Sequence, residues 1–107
     1  MKTALIEVEP LGEVFERMKR VVKSGIPDKY ARFSFPTTDL LWKIISPKRL
    51  EILQRLCGAG EISIRETARR VKRDVKAVHG DCVALAKAGI IERTAKGGVY
   101  FPYGNMA

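Results

Sequence analysis

Two helical patterns in the second half of the chain follow each other with about two residues between them. The first, SIRETARRV (63–71), opens with a capping box, because Ser63 can accept a hydrogen bond from the amide of Glu66 and Glu66 can reach back to Ser63. The second, RDVKAVHGDCVALAKAG (73–89), carries apolar residues at spacings of three, four and three, which is the pattern of a helix with one buried face. This closely joined pair constrains the fold more than any other feature of the sequence.

The segments on either side of the pair give it a definite context. SPKRLEILQRLCGAG (46–60) predicts a helix with Ser46 as its N-cap and Pro47 as its first residue. After the pair come two β-like runs, IIER (90–93) and VYFPY (99–103), with the glycine-containing loop TAKGG between them. Three helices followed by a hairpin predict a winged helix-turn-helix. We therefore expect a mainly α fold with a small β component.

The first part of the chain predicts an additional strand and helix. TALIEV (3–8) is a short strand pattern, and a helix follows from Pro10 to Gly25. A short extended piece at 33–35 and a short helix at 37–45 lead into the second half. The apolar residues of the first helix repeat at helical spacing, so we expect this stripe to be buried against another surface. Its members are Leu11, Val14, Phe15, Met18, Val21 and Val22.

These patterns divide the chain into two regions. Residues 1–32 form an N-terminal strand-helix extension that serves dimerisation or partner binding, and residues 33–107 form a winged helix-turn-helix DNA-binding domain. We expect a homodimer, because one module of this size makes few base contacts and twofold pairing doubles them on a palindromic site.

The charge of the chain is large and unevenly distributed. The net charge is +8 over 107 residues. Six lysines and arginines lie between Arg65 and Lys76, against only Glu66 and Asp74. Such a cluster favours an anionic partner, with nucleic acid first and an anionic membrane surface second.

The apolar content does not indicate a membrane protein. Apolar residues make up 46% of the chain, which is ordinary for a globular protein. No apolar run approaches the roughly 18–20 residues that a membrane span needs. The first twenty residues lack the apolar core and cleavage site of a signal peptide. We expect a cytoplasmic protein with no membrane partner.

The helix at about 73–88 is the candidate recognition helix for double-stranded DNA. At 100° per residue, its face opposite the apolar stripe has charges at the N-terminal end and small side chains further along, which suits entry into a major groove. A generic surface helix on a small helical domain is the alternative, and for the hairpin residues a solvated turn is the alternative. The candidate DNA-binding residues are Ser63, Arg65, Arg69, Arg70, Lys72, Arg73, Lys76, Ala77, His79, Gly80, Lys87, Arg93 and Lys96.

The single histidine and the two cysteines do not predict a metal site. His79 and Cys82 have a possible ligand spacing, but Cys82 lies in the core stripe and His79 lies at its border. Structural zinc sites need about four ligands, and only Cys57 is left to join them. We also find no nucleophile–base pair and no phosphate-binding loop. The sequence predicts no enzyme, no metal and no cofactor, with both thiols free.

The run LLWKIISPKRLEILQRL…SIRETARRVKRDVKAVHGDCVALAKAGIIER…VYFPY, residues 33–103 in all, resembles a group of short prokaryotic and archaeal winged helix-turn-helix proteins. These are described as predicted transcriptional regulators, and several resemble the antitoxin or regulator partner in small toxin–antitoxin operons. The resemblance implies DNA binding through the helix that starts at Arg73, and a neighbouring partner protein. The chain departs from the group at Lys72, where glycine is usual, at Thr67, where leucine is usual, and at Gly80, where arginine is common.

We therefore predict a sequence-specific transcriptional regulator that binds double-stranded DNA. One alternative is an antitoxin that masks a cognate toxin protein and autoregulates its operon. A second alternative is an RNA-binding module, since winged helices also accept RNA.

Overall fold

A computed structural model describes residues 2–106. Helices make up about half of the chain. In order they are α1 (Leu11–Ser24), α2 (Thr38–Ile44), α3 (Pro47–Leu56), α4 (Ile64–Val71) and α5 (Val75–Lys87). The expectation of a mainly α fold with a small β component is confirmed.

Six short strands accompany the helices within the described residues. They are β1 (Thr3–Val8), β2 (Tyr30–Phe35), β3 (Ile62–Ser63), β4 (Glu92–Arg93), β5 (Gly98–Tyr100) and β6 (Asn105–Met106). They form two three-stranded sheets. The first has the order β2-β1-β6 and is parallel, and the second has the order β3-β5-β4 and is antiparallel.

Four helices begin at a side-chain cap, and Ser46 and Ser63 are the caps that the sequence predicts. The hydroxyl of Thr37 accepts a hydrogen bond from the Leu40 amide at 3.2 Å, and Ser46 caps α3 in the same way. Ser63 accepts from the Glu66 amide at 2.9 Å, and Asp74 accepts from the Ala77 amide at 3.2 Å. Each cap satisfies an amide that has no partner within its own helix, so these starts are fixed by local chemistry.

Helices α3, α4 and α5 share one hydrophobic core. Three core side chains of α3 are fully buried: Ile52, Leu53 and Leu56. In α5 the predicted core position Val75 is 39% exposed, which corrects the sequence expectation. Val75 is the first residue of the helix and lies beside the open groove along α4, so the core does not reach it. The rest of the core comprises Ala4, Ile45, Ile64, Ala68, Val71, Val78, Cys82, Leu85, Ile90, Ile91, Val99 and Phe101.

The hairpin is shorter and more enclosed than the sequence predicts. Only Glu92–Arg93 and Gly98–Tyr100 are strands, whereas Ile90 and Ile91 enter the core instead. The β5 strand is central, because β3 pairs with it on the side opposite β4. A two-residue strand such as β3 has no pattern of its own, so sequence reasoning missed it.

The N-terminal segment is a parallel β-α-β unit. The predicted extended piece at 33–35 is the second half of β2, which pairs with β1 along its full length. The predicted division between residues 32 and 33 falls inside this strand, and β6 joins the same sheet. The two regions therefore share a sheet, and their status as separate domains stays a prediction.

The two faces of the parallel sheet differ in chemistry. Ala4, Ile6 and Phe33 pack on the hydrophobic core. The alternate residues point to the other face, where Glu7 pairs with Arg32 at 2.8 Å. Helix α1 lies on this polar face, since its Arg17 pairs with Glu9 directly after β1.

Helix α1 does not bury the stripe that its sequence predicts. Val14 and Val21 are half-buried beside Arg17. The other four members are 53–83% exposed: Leu11, Phe15, Met18 and Val22. The outer face of the sheet carries ion pairs that include Arg17 of the helix, and only the edge of the stripe with Val14 and Val21 is turned toward it.

Among residues 2–106, no helix has the length and apolar character that crossing a bilayer requires.

Candidate nucleic-acid interface

Helix α4 presents a basic surface opposite its buried face. Arg65, Arg69 and Arg70 are exposed, as predicted, while Ile64, Thr67 and Ala68 are buried. The hydroxyl of Thr67 donates to the Ser63 carbonyl at 2.9 Å, so this polar group is satisfied inside the core. The basic side chains therefore face solvent, while the other side of the helix is buried in the core.

The carboxylate of Glu66 organises two of these arginines. It accepts hydrogen bonds from Arg69 and lies 3.9 Å from Arg70, instead of making the reciprocal capping bond to Ser63. The hydrogen bond from Arg69 lowers the pKa of the Glu66 carboxyl and raises that of the Arg69 guanidinium. Glu66 thus stays ionised at neutral pH and offsets part of the positive charge.

The turn between α4 and α5 depends on a left-handed residue. Lys72 has φ 56° and is the sole non-glycine residue with positive φ in the described chain. Its amide donates to Arg69 and the Arg73 amide donates to Ala68, which together form a Schellman motif. Glycine adopts this conformation without strain. Here a lysine occupies it and adds an exposed cation at the turn.

Helix α5 carries an exposed stripe along its outer side. Lys76, Gly80 and Lys87 lie within about 40° of one another at 100° per residue, and all three are exposed. A Cβ atom added at Gly80 would meet nothing within 4 Å. Packing within the chain therefore gives no reason for glycine at this helical position. Ala77 and His79 are exposed on either side of the stripe.

Arg73 is the candidate whose placement the sequence predicted wrongly. It precedes α5 and is not on the exposed face of the helix. Its guanidinium lies 2.9 Å from the Asp81 carboxylate, and only 19% of its side chain is exposed. Asp81 also binds Arg49 Nε at 3.1 Å, and Arg49 donates to the Ile44 carbonyl at 3.0 Å. Arg73 is thus part of a cluster that joins the α4–α5 turn to α3.

The structure brings one subset of the candidates together. A shallow groove between α4 and the start of α5 is lined by Ser63, Arg65, Arg69, Arg73 and Val75, among others. Lys72 lies in the connection between α4 and α5, and Lys76 lies in the first turn of α5. The exposed basic residues of this region form what we call the basic surface: Arg65, Arg69, Arg70, Lys72 and Lys76.

The remaining candidates lie further away along the chain. Lys87 is about 16 Å from Lys76 along the α5 axis, at 1.5 Å per residue. Arg93 is exposed in β4, and Lys96 is exposed in the hairpin loop. The Thr94 hydroxyl accepts from the Gly98 amide at 2.9 Å and donates to Glu61 at 3.0 Å, which fixes the loop base.

The His79 imidazole is exposed, whereas the Cys82 thiol is buried and the Cys57 thiol is half-buried. Both cysteines are free, and burial raises the pKa of Cys82 to about 11 and that of Cys57 above its usual value. Neither thiol is ionised at neutral pH. In the described part of the chain, no three His, Cys, Asp or Glu residues cluster as metal ligands do.

The chain can be placed in a family. The family model described as HVO_A0114 matches residues 44–107, from the end of α2 to the C-terminus. The chain belongs to this family. No curated protein and no solved structure matches it. The strand–helix–strand unit at residues 3–35 lies outside the matched segment.

Proposed function

We propose that the protein binds double-stranded DNA through a winged helix-turn-helix and acts as a transcriptional regulator. Helices α3, α4 and α5 supply the helical part, α5 is the recognition helix, and the β4–β5 hairpin is the wing. The order helix, strand, helix, helix, strand, strand over residues 47–100 supports this interpretation.

The observation that carries the proposal is the basic surface. The segment from Arg65 to Lys76 contains six cations and two carboxylates, and five of the six cations are exposed. A DNA duplex carries one negative charge per roughly 1.7 Å of axis, so a surface of this density attracts it and releases counterions. Helix α5 then enters the major groove with Lys76 leading and with little bulk at Gly80.

The first test removes three cations of the basic surface. Arg65, Lys72 and Lys76 are exposed and form no ion pair among residues 2–106. Their combined replacement with alanine should weaken binding to a pool of random-sequence duplexes by more than about 30-fold at moderate salt. If all three contact phosphates, the slope of log affinity against log salt should fall by about 3. Fluorescence anisotropy titrations at several salt concentrations measure both quantities.

A matched control removes three cations elsewhere. Lys2, Lys29 and Lys43 are exposed and lie outside the basic surface. Their alanine variant has the same net charge as the test variant and should keep most of the affinity. Equal losses in the two variants would reject the surface assignment. Salt-independent binding, or preference for an RNA duplex of the same length, would reject the proposed ligand.

The second test changes shape without changing charge. Gly80→Leu should raise the free energy of unfolding by about 0.5–1 kcal/mol, because leucine favours the helix and its Cβ atom would meet no neighbour within 4 Å. The same variant should bind the duplex pool at least about tenfold more weakly, because the new side chain holds α5 away from the base edges.

Gly12→Leu in α1 is the control for this substitution. Gly12 also lies in a helix with no neighbour within 4 Å of an added Cβ. It should gain stability without losing DNA affinity. Full duplex binding by Gly80→Leu would show that α5 does not enter the groove at this position.

A further inference from the structure

Helix α1 has an exposed apolar stripe whose spacing is that of a coiled-coil seam. Leu11, Phe15, Met18 and Val22 are separated by four, three and four residues. This alternation repeats every seven residues and keeps one face of a helix against a partner. An apolar groove runs along it, lined by Phe15, Met18 and Val22 with the stems of Lys19 and Lys23. The stripe is therefore shaped to receive side chains from a second helix.

The rest of the chain leaves this stripe uncovered. The inner side of α1 is held on the sheet by ion pairs, with Arg17 between Glu9 and Asp28. The flank of α1 that carries Arg17 and Arg20 lines a groove with Arg32 of β2. The stripe lies on the opposite flank and faces away from β2. None of the other described segments folds over the stripe.

The uncovered area is large for a chain of this size. Each of the four side chains leaves about 100 Å² exposed. The total of roughly 400 Å² lies within the range of about 300–600 Å² that the largest apolar patch of a monomer covers, and such patches are often functional. It is about half of the roughly 800 Å² per partner of a standard interface.

The charges along α1 favour a second copy in the antiparallel direction. Beside the stripe, Glu16 lies in the first half of the helix, whereas Lys19 and Lys23 lie in the second half. An antiparallel pair places the acidic half of each helix beside the basic half of the other, and it also opposes the two helix dipoles. A parallel pair would place like charges together.

We propose that α1 is the dimer interface and that it packs against α1 of a second copy, antiparallel, with Phe15 and Met18 at the twofold axis. The opposite face of the sheet carries the hydrophobic core and helices α2 to α5, so the basic surface is left free in each copy. This inference does not depend on DNA binding and would survive its failure.

Sedimentation of the full chain tests the interface. The unmodified protein should sediment as a dimer at micromolar concentration, and Phe15→Glu should sediment as a monomer over the same range while it still unfolds cooperatively. Leu40→Glu is the control, since Leu40 is also 44% exposed but lies on α2. It should remain dimeric. A monomeric unmodified protein would overturn the proposal and leave the stripe to a different protein, and a dimeric Phe15→Glu variant would move the interface elsewhere.

Disulfide trapping tests the direction of the helices. In a Cys57→Ser background, an equimolar mixture of Leu11→Cys and Val22→Cys chains should form a mixed disulfide dimer under mild oxidation, because these positions face each other in the antiparallel pair. Leu11→Cys alone should not cross-link. Efficient cross-linking of Leu11→Cys with itself would show a parallel pair and overturn the stated geometry.

Discussion

Asp81→Asn is expected to lower the free energy of unfolding by about 2–3 kcal/mol. Its carboxylate is the shared partner of Arg49 at 3.1 Å and Arg73 at 2.9 Å, and each of the three side chains is less than a quarter exposed. The substitution leaves two guanidinium groups with little solvent and no counter-charge. Because a fifth of the cluster still reaches water, we expect less than the 3–5 kcal/mol of a fully buried pair. Urea unfolding at neutral pH measures the change.

Glu16→Gln is the control for the Asp81 prediction. It also removes one carboxylate from an ion pair, with Lys19 at 3.6 Å, but both side chains are more than two-thirds exposed. Exposed pairs contribute little, so its unfolding midpoint should hardly move. An equally small effect of Asp81→Asn would show that Arg49 and Arg73 do not depend on their shared carboxylate. Arg73→Ala should also destabilise the fold, which makes this residue unsuitable as a probe of DNA contacts.

Phe101→Ala is expected to lower the free energy of unfolding by about 3–5 kcal/mol. Phe101 is 1% exposed and lies between the two sheets in sequence and in space. Its ring centroid is 4.8 Å from Tyr103 and 6.3 Å from Phe33 of β2. Removal of the ring creates a cavity and separates the parallel sheet from the helical core. Thermal and urea unfolding should show the loss together.

Tyr103→Phe is the matched control for Phe101→Ala. It keeps the ring that packs edge-on against Phe33 at 5.8 Å and removes only a hydroxyl. Its stability should stay within about 0.5 kcal/mol of the unmodified protein. A loss below about 1 kcal/mol for Phe101→Ala would show that the aromatic cluster does not hold the two parts together.

The features that sequence predicted well depend on neighbouring residues. Ser46 and Ser63 cap helices because each side chain reaches an amide three residues ahead. The start of α1 after Pro10 and its end at Gly25 follow from similarly local preferences. Such signals are complete within a few residues, so they can be read without knowing the fold.

The features that sequence missed depend on distant partners. Arg49 and Asp81 are 32 residues apart, and no pattern in either segment marks their pairing. Arg73 lies at a helix start, where an exposed cation is expected. Its ion pair with Asp81 places it in a largely buried position instead. The same holds for β2, because residues 30–32 become strand only by pairing with β1. The sequence predicts the apolar stripe of α1 but not its exposure, which depends on how the ion pairs of the sheet orient the helix.

The position of β1 in the middle of the parallel sheet also bears on the order of folding. It pairs with β2 across a helix, and with β6 across nearly the whole chain, since Thr3 lies opposite Asn105. Closing so long a loop costs more entropy than bringing together α3, α4, α5 and the hairpin, whose contacts are closer in sequence. The helical part is therefore able to form before β6 pairs with β1. The β1–α1–β2 unit and the helical part can thus form independently, and the pairing of β6 with β1 joins them last.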